Sequence, residues 1–340
     1  MSQDVPAARA VHGGAAYGIM RAVRILMVFV DGVGLGDPDP AVNPLVRAET
    51  PTFRRLLGGP LAGPAAVHTA DAVLVPLDAR LGVPGLPQSA TGQVTLLTGE
   101  NASRLVGRHV TAYPTLRLRT LLEERGLFTE LRRRDISATL ANAYTPEYFT
   151  AVAERRLRHA AITLNALQAG MRLRAVDDVR AGQAVYQDLT NARLREWGHA
   201  VPLIGPEDAG RHLARIAAAH AFTLFEYFLT DLAGHGRIAD RVGVVEQLDR
   251  FVGAVLGAAG LDETLVLITS DHGNLEDERT DGHTLNPVPA LLAGAGRERM
   301  GERLHDLTDV APACLDFLVK ADRGEEWNQG KVEGNGESHP

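Results

Sequence analysis

The stretch LVLITSDHGNLEDERTDGHTLNPVPALLAG, residues 265–294, decides the fold. It starts with an apolar run, which is typical of a strand covered on both faces of a sheet. The run leads into Asp271 and His272, and His283 follows at the end of a polar loop. An acid and two imidazoles at and beyond a strand end predict a ligand-binding edge, because ligands of open α/β sheets bind at the carboxyl ends of the strands.

Two further apolar runs also lead into an aspartate. VRILMVFVDG (23–32) contains Asp31, and FTLFEYFLTD (222–231) ends at Asp231. Amphipathic helical patterns separate the runs, and this alternation predicts an α/β fold with a mostly parallel sheet sandwiched by helices. A single aspartate after a strand often only caps a turn. Three of them, at the ends of three strands, would share the edge of the sheet where ligands bind.

The middle of the chain differs in character from the two parts around it, since it has few long apolar runs and many arginines. We divide the sequence into a disordered N-terminal tail (1–21), a core in two parts (22–110 and 207–322), an inserted smaller α+β cap domain (111–206) and a disordered C-terminal tail (323–340). The first boundary of the cap is open, because residues 121–144 could instead be a helix–strand unit of the core. Translation could begin at Met1 or at Met20, which stands just before the first strand.

Composition excludes some classes of function. The chain of 340 residues is 45% hydrophobic and 23% charged, which is typical of a globular protein, and its net charge of −7 argues against a nucleic-acid binder. The longest purely apolar runs are too short to span a membrane, and residues 1–21 do not resemble a signal peptide. With a single cysteine, Cys314, no intrachain disulfide can form. We therefore expect a cytoplasmic protein without a membrane partner; the sequence leaves its oligomeric state open.

The acids and histidines at the strand ends have the chemistry of metal ligands. Asp231 and His235 have the spacing D-x-x-x-H, which places both side chains on the same side of one helical turn. Carboxylate oxygens and imidazole nitrogens together suit Mn²⁺, Zn²⁺ or Fe²⁺. Six candidate ligands are enough for two ions, and two ions about 3.5–4 Å apart are a common device of phosphoryl transfer. The candidate metal ligands are Asp31, Asp231, His235, Asp271, His272 and His283.

A candidate nucleophile stands in GLPQSATGQVTLLTGENA, residues 85–102. Ser89 follows a Pro/Gly loop and precedes a helical run, and a hydroxyl at a helix N-terminus lies beside free N–H groups in a positive field. Ser89 could instead be an ordinary N-cap residue. Thr91 is a competing hydroxyl.

These motifs together resemble a known superfamily. The residues that carry the resemblance are VDG (30–32), LPQSATGQ (86–93), TDLAGH (230–235), SDHGN (270–274) and GHTLNPVP (282–289). In this order they are similar to the alkaline phosphatase superfamily, most nearly to its branch of cofactor-independent phosphoglycerate mutases and phosphopentomutases. Where phosphoglycerate mutases have a histidine after the glycine of S-x-x-G, this chain has Gln93, and its inserted segment is shorter than in the long bacterial enzymes. Both differences leave the substrate open.

The resemblance implies a site and an activity. It implies one metal on Asp231, His235 and His283, and a second on Asp31, Asp271 and His272, with Ser89 as the nucleophile beside the second. The cofactors would be two divalent ions, Mn²⁺ or Zn²⁺. The activity would be phosphoryl transfer on a small phosphorylated metabolite through a phosphoserine, as a mutase or a phosphatase. The alternatives are a phosphodiesterase or phosphonate-type hydrolase on the same fold, and a catalytically inactive metal-binding relative.

Other polar residues are weaker candidates. Arg104, Arg108 and His109 follow the helix of Ser89, where they could bind a phosphate or carboxylate group of the substrate or could be merely solvated. The loop between His272 and His283 contains an acidic run, residues 276–278, which we expect to be solvated, although one of its carboxylates could orient a metal-bound imidazole.

Overall fold

The computed structural model of the chain describes residues 23–323. The predicted N-terminal tail and nearly all of the predicted C-terminal tail lie outside these residues. Between residues 23 and 323 no helix has both the length and the apolar character needed to cross a bilayer. The cytoplasmic location stays a prediction, as does the lack of a nucleic-acid partner.

The centre of the molecule is a seven-stranded sheet, and a second sheet of two strands lies in the inserted segment, residues 111–206. The strands are β1 (Arg24–Val30), β2 (Val67–His68), β3 (Ala72–Leu77), β4 (Ala138–Leu140), β5 (Ala143–Tyr144), β6 (Arg174–Ala175), β7 (Phe222–Tyr227), β8 (Thr264–Thr269) and β9 (Val288–Gly294). The large sheet has the order β2-β3-β9-β8-β1-β7-β4, and the small sheet pairs β5 with β6.

The predicted α/β sheet flanked by helices is confirmed, and it is mixed rather than purely parallel. β8, β1, β7 and β4 run parallel to one another. β9 is antiparallel to β8, β3 is antiparallel to β9, and β2 is antiparallel to β3. The connection from β8 to β9, residues 270–287, contains no helix that could cross a face of the sheet, and it brings the chain back beside the strand it has just left. The three strands that carry the aspartates are all in the parallel part.

Helices cover both faces of the large sheet and also build the inserted segment. They are α1 (Pro44–Arg47), α2 (Pro51–Leu57), α3 (Ser89–Thr98), α4 (Ala102–Val106), α5 (Leu116–Arg125), α6 (Leu127–Arg133), α7 (Pro146–Ala153), α8 (Ala161–Gln168), α9 (Val176–Arg180), α10 (Ala192–Glu196), α11 (Pro206–Ala217), α12 (Leu229–Gly234), α13 (Arg241–Ala258), α14 (Arg297–Gly301) and α15 (Val310–Asp322), with a 3₁₀ turn at Leu307–Asp309. The amphipathic helices predicted between the apolar runs are confirmed, since α2 and α11 lie between the runs 23–32 and 222–231, and α13 lies between 222–231 and the run that begins at residue 265.

The central strands are buried on both faces, as their unbroken apolar runs predict. In β1, Met27 and Phe29 pack into one hydrophobic cluster with α3, α5, α6, α8 and α15. Their neighbours Leu26 and Val28 point the other way, into a second cluster with α2, α11 and α13. Successive side chains of a strand alternate between faces, so a strand that is apolar throughout needs a helical layer on each side. The fold is therefore α/β with three layers.

The inserted segment belongs in part to the core. Its first helices, α5 and α6, lead into β4, which pairs with β7 in the large sheet, and α8 packs into the first hydrophobic cluster. Residues 121–144 thus contain a helix and a strand that pack against the core, as in the alternative left open above, and the boundaries of the cap stay a prediction. A separate small cluster, which includes Val176, Val179, Tyr186 and Leu194, holds together the part with β5, β6, α9 and α10.

Candidate metal centre and nucleophile

The three aspartates stand at the same edge of three neighbouring strands. Asp31 directly follows β1, Asp271 follows β8 after one residue, and Asp231 lies in the first turn of α12 just beyond β7. Because β8, β1 and β7 are adjacent and parallel, their carboxyl ends lie side by side. The structure thus brings Asp31, Asp231 and Asp271, hereafter the carboxylate cluster, to one place.

Two groups of possible metal ligands are present among residues 23–323, and in each the donor atoms lie within 4.8 Å of one another. One group is Asp31, Asp271 and His272, which is the set that the resemblance implies for one metal. The other is Asp231, His272 and His283, so that His272 takes part in both groups. His235 is next to this second group, because its Nε2 is 3.4 Å from Oδ1 of Asp231. The assignment of His235 as a ligand stays a prediction.

Each of the histidines turns its Nε2 toward the carboxylates. Nδ1 of His235 is 2.8 Å from the carbonyl oxygen of Asp281, and Nδ1 of His283 is 2.7 Å from that of Pro87. A carbonyl only accepts hydrogen bonds, so Nδ1 carries the proton and Nε2 keeps its lone pair. Backbone contacts of this kind orient metal-binding imidazoles in proteins. The rings of His272 and His283 are stacked, with centroids 3.7 Å apart.

Three side-chain oxygens of the carboxylate cluster lack a hydrogen-bond partner within residues 23–323. Both side-chain oxygens of Asp271 and Oδ1 of Asp31 are buried without a hydrogen-bond partner in the described part of the chain. Burial and the charge of Asp31 hold the pKa of Asp271 well above its usual range and also raise the pKa of Asp231. Unpaired buried carboxylates are costly, whereas oxygen and imidazole donors that converge on one place suit divalent cations. The residues present therefore fit bound divalent metal ions.

The two stacked histidines differ in their electrostatics. Burial lowers the pKa of His272, but the charges of Asp271 and Asp31 outweigh it and raise that pKa to about 10. Burial and the neighbouring His272 lower the pKa of His283 to about 4, which keeps this imidazole neutral. A neutral imidazole beside a carboxylate is the form that binds a cation.

Ser89 is the first residue of α3 and not its N-cap, which is Gln88. Its Oγ is 3.0 Å from Nε2 of His272, so the hydroxyl stands at the metal-ligand group that contains Asp31 and Asp271. The competing hydroxyl, Thr91, is fully buried, and its Oγ1 donates to the carbonyl of Gln88. Of these two hydroxyls, only Ser89 faces the site.

Two glycines allow this close assembly. A Cβ atom at Gly92 would come within 2.8 Å of the carbonyl oxygen and Cβ of Asp271, so only glycine lets α3 lie against the Asp271 backbone. Gly32 has a φ of +69°, and a Cβ atom added at this position would lie 2.8 Å from Oδ1 of Asp231. The glycine of the S-x-x-G motif thus has a physical reason, because it sets the distance between Ser89 and the carboxylate cluster.

Glu276 joins the loops that carry the ligands, contrary to the prediction that this acidic run is solvated. Its side chain is fully buried, and Oε2 accepts from the backbone N–H groups of Gly34 and Asn274, each at 2.8 Å. Oε1 accepts from the hydroxyl of Thr284 and from the amide of Asn286 at 3.1 Å. One carboxylate therefore ties the loop after β1 to both sides of the connection between β8 and β9. Its neighbours in the run, Asp277 and Glu278, are only partly buried. Nothing in the sequence of the run distinguishes the buried acid from these two.

Replacing Glu276 with glutamine should loosen this assembly. The new amide group is a donor and would meet donors on whichever side it pointed, so we expect the free energy of unfolding to fall by about 1–3 kcal/mol. Metal affinity should fall about 10–100-fold, because groups that support metal ligands have effects of that size. Urea unfolding and metal titration measure the two effects. Glu278→Gln is the matched control and should be near neutral in both, since Glu278 forms a partly exposed ion pair with Arg47.

The site opens into a cavity of about 910 Å³ between the core and the inserted segment. Asp31, Ser89, Asp231, His235 and His283 line its core side. The three residues that sequence proposed as substrate contacts do not line this cavity. They are Arg104 and Arg108, which are exposed, and His109, whose ring contacts the carbonyl of Val83.

Other arginines line the cavity. Arg158 and Arg237 line the cavity, and within residues 23–323 neither side chain has an acidic partner. Arg156 also lines it but pairs with Glu154. The run AERRLRH (153–159) held two of these arginines among several, and nothing in its pattern singles them out.

Glu226 is a further cavity residue that the sequence analysis did not propose. It lies in β7, only 7% exposed, and burial together with the charge of Asp31 raises its pKa to about 8. In the sequence, Glu226 is a single acid inside an otherwise largely apolar strand. A buried acid without a partner lowers the stability of the fold, so its presence could have pointed to a functional residue.

Glu226 should give the metal-free protein a specific pH dependence. Its pKa is raised on folding, so the folded state holds a proton that the unfolded state releases, and stability is lost as pH rises from about 4.5 to about 8. Between about pH 5 and pH 9 we expect the wild type to lose roughly 2–4 kcal/mol more unfolding free energy than Glu226→Gln. Urea unfolding with a chelator present measures this. Equal losses in both proteins would contradict the raised pKa, and Glu298→Gln, an exposed change, should behave as wild type.

Comparison with known proteins agrees with this geometry. Residues 208–321 match the family model of the Metalloenzyme superfamily. The chain has the fold of an alkaline phosphatase from the Antarctic bacterium TAB5 (TM-score 0.52, 12% identity, 88% of this chain and 99% of that one) and of the PH0037 protein from Pyrococcus horikoshii (TM-score 0.52, 18% identity, 89% and 98%). The fold of the chain is alkaline phosphatase-like, and residues 208–321, about a third of the chain, are similar to the metalloenzyme superfamily.

Part of the chain is also similar to curated phosphoglycerate mutases. The 2,3-bisphosphoglycerate-independent phosphoglycerate mutase of Cereibacter sphaeroides is 33% identical over 128 residues, which cover 34% of this chain and 25% of that protein. The enzyme of the same name from Synechocystis is 35% identical over 114 residues, 29% of this chain and 21% of that protein. The chain thus matches only about a quarter of the length of these relatives.

Proposed function

We propose that this protein is a two-metal phosphoryl-transfer enzyme, a phosphomutase or phosphatase that forms a phosphoserine on Ser89. The observation that carries the proposal is the position of the Ser89 hydroxyl, 3.0 Å from His272 and beside the buried, unpartnered oxygens of Asp271, at the end of an open cavity. A hydroxyl, a set of metal ligands and room for a substrate are the parts that this chemistry needs. The superfamily and the partial similarity to phosphoglycerate mutases support it.

The residues that would hold the ions are those of the two ligand groups. Asp31, Asp271 and His272 would hold one, and Asp231 and His283, with His235, would hold the other. When bound, two divalent cations would neutralise charge on the phosphoryl oxygens and favour the ionised form of the serine hydroxyl. Two such ions bring a charge of +4 against −3 from the carboxylate cluster, so the loaded site would attract an anion.

The transfer itself would take two steps. Ser89 releases its proton to solvent and its oxygen forms a bond to phosphorus, while the bond from phosphorus to the ester oxygen breaks and that oxygen takes up a proton. Water then removes the phosphoryl group from the serine, which makes a phosphatase, or a second hydroxyl of the retained substrate takes it, which makes a mutase. The position of α3, held close by Gly92, keeps the serine oxygen in place for both steps.

Arg158 and Arg237 would bind the anionic part of the substrate. Both line the cavity without an acidic partner, and guanidinium groups bind phosphate or carboxylate through two parallel hydrogen bonds. The inserted segment, which forms the opposite wall, would decide how much water reaches the phosphoserine, and so whether hydrolysis or return transfer follows.

A screen of phosphorylated sugars, glycerates and nucleotides tests the proposal. The chain is assayed with Mn²⁺ and separately with Zn²⁺, and both free phosphate and isomerised product are followed. Release of phosphate alone would assign a phosphatase, and isomerised product without free phosphate would assign a mutase. A phosphate diester is included in the screen, since faster cleavage of diesters than of monoesters would favour a phosphodiesterase. No turnover with any divalent ion would refute the proposal and favour an inactive relative.

A further inference from the structure

The cavity is large for a small phosphorylated metabolite. Its volume of about 910 Å³ lies at the upper end of the range of about 300–1,000 Å³ that is typical of sites for drug-sized ligands. A three-carbon phosphate ester would occupy only the end near Ser89. The remaining space is bounded by the inserted segment, so the composition of that wall indicates what kind of group it accepts.

That wall is rich in aromatic residues. The chain has six tyrosines and two tryptophans, and aromatic residues make up only 5% of it. Four of the tyrosines and one tryptophan line this single cavity. We call these five residues the aromatic wall: Tyr113, Tyr144, Tyr148, Tyr186 and Trp197.

The rings of the aromatic wall are held in place before any ligand arrives. The hydroxyl of Tyr144 is 2.7 Å from Oγ1 of Thr163, and that of Tyr148 is 2.7 Å from Nδ1 of His159. The two rings also pack against each other, with centroids 4.9 Å apart. Rings that are already fixed lose little freedom when a ligand stacks on them, and this favours binding.

Trp197 shows that the aromatic wall is not simply part of the hydrophobic core of the inserted segment. Its side chain is 49% exposed and is absent from the hydrophobic clusters of the described residues. The guanidinium group of Arg193 lies 5.5 Å from its ring and supports it. A large aromatic side chain kept half exposed at the edge of a cavity is a ready surface for a flat group.

The aromatic wall adjoins the reacting end of the cavity. Burial raises the pKa of Tyr144 and of Tyr148, and in both the charge of Glu226 raises it further. The pKa of Glu226 in turn responds to Asp31 of the carboxylate cluster. Glu226, Tyr144 and Tyr148 line the same cavity as Asp31 and Ser89, so one molecule could contact both the wall and the cluster.

We propose that the substrate is a phosphate ester of a ring-bearing alcohol, whose ring lies against the aromatic wall while its phosphate reaches Ser89. Sugar rings and nucleobases both present a flat face that stacks on tyrosine and tryptophan, and stacking of a base on such a side chain contributes about 1–3 kcal/mol. This proposal rests on the proposed function, because it takes Ser89 as the end at which the phosphate binds.

Binding to the full chain with Ser89→Ala, loaded with Mn²⁺, tests the proposal without turnover. Calorimetric titration compares a ringless ligand, glycerol 3-phosphate, with ribose 5-phosphate, glucose 6-phosphate and adenosine 5′-monophosphate. We expect the best ring-bearing ligand to bind at least about tenfold more tightly than glycerol 3-phosphate. A gain already present with the two sugar phosphates assigns a sugar to the wall, and a gain only with the nucleotide assigns a base.

The contribution of the wall is tested by adding Trp197→Ala to the same protein. Because Trp197 is half exposed, the fold should tolerate this change, and the affinity for the ring-bearing ligand should fall about tenfold while that for glycerol 3-phosphate stays constant. Trp197→Phe should restore part of the loss. Leu203→Ala, an exposed change outside the cavity, is the matched control and should alter neither affinity.

Two results would overturn the proposal. One is equal affinity for ringless and ring-bearing ligands, or no binding of any of them; the other is an equal loss for both kinds in Trp197→Ala. These results differ from failure of the proposed function, in which the wild-type chain would turn over none of these esters while its preference for ring-bearing ligands persisted.

Discussion

Replacing Ser89 with alanine should abolish phosphoryl transfer while the metal content stays that of the wild type. The hydroxyl oxygen is the atom that would bond to phosphorus, so we expect turnover to fall by at least about 10⁴-fold. Ser89 lies beside the metal ligands and is not among their acidic and imidazole donors, so elemental analysis should still find both ions. Steady-state rates on the best ester from the substrate screen, with metal analysis of the same samples, measure the two effects.

Ser103→Ala is a matched control for this change. Ser103 is a buried serine on α4, next to α3; its Oγ has no partner in the described residues, and it does not line the cavity. This variant should keep wild-type turnover and metal content. Retained activity in Ser89→Ala would point to direct attack by water, since the hydroxyl of Thr91 is buried and bonded to the backbone.

Replacing Asp271 with asparagine should remove a metal ion without weakening the metal-free fold. Both oxygens of Asp271 are buried and have no hydrogen-bond partner in the described chain, so the change breaks no hydrogen bond. His272, whose Nε2 is 3.6 Å from Oδ2 of Asp271, keeps Asp31 as an acidic neighbour at 3.3 Å. We expect metal content to fall from two ions per chain to one or fewer, and turnover to fall by about 10²-fold or more. In a chelator, the free energy of unfolding should be equal to or higher than that of the wild type, because a buried unpaired acid has been removed.

Asp249→Asn separates this result from the effect of losing any buried carboxylate. Asp249 is also fully buried, but its oxygens accept from the backbone N–H groups of Thr52 at 3.0 Å and Phe53 at 2.8 Å, at the start of α2. The control should lose about 1–2 kcal/mol of unfolding free energy and keep its metal. If Asp271→Asn instead lost stability in the chelator and kept both ions, the carboxylate cluster would be structural rather than metal-binding.

The parts of the fold with a strong local signal could be predicted from the sequence. β1 and β8 were readable because a strand buried on both faces must be apolar throughout, and α13 because its apolar residues repeat at helical spacing. The convergence of Asp31, Asp231 and Asp271 followed from the strands that precede them. These inferences need only the residues of one element and the general rule for sheet edges.

The rest depends on contacts between distant segments. The direction of β9 is set by how its connection folds back, and β4 is only three residues long, so its place beside β7 leaves almost no pattern. Glu276 is buried because four donors from separate loops surround it, which the acidic run around it does not reveal. Arg158 and Arg237 could not be distinguished from other arginines of the sequence, because the cavity that they line forms only when distant segments come together.

The connection that leads from β8 back to β9 also affects how the candidate metal centre would lose its ligands. Asp271, His272 and His283 all sit on this one connection, and His272 belongs to both ligand groups. Opening the connection would detach donors from both groups in a single event, so occupancy of the two positions should be cooperative. A form with one ion bound would then be scarce. Metal occupancy would fall from two ions to none over a narrow range of free metal concentration.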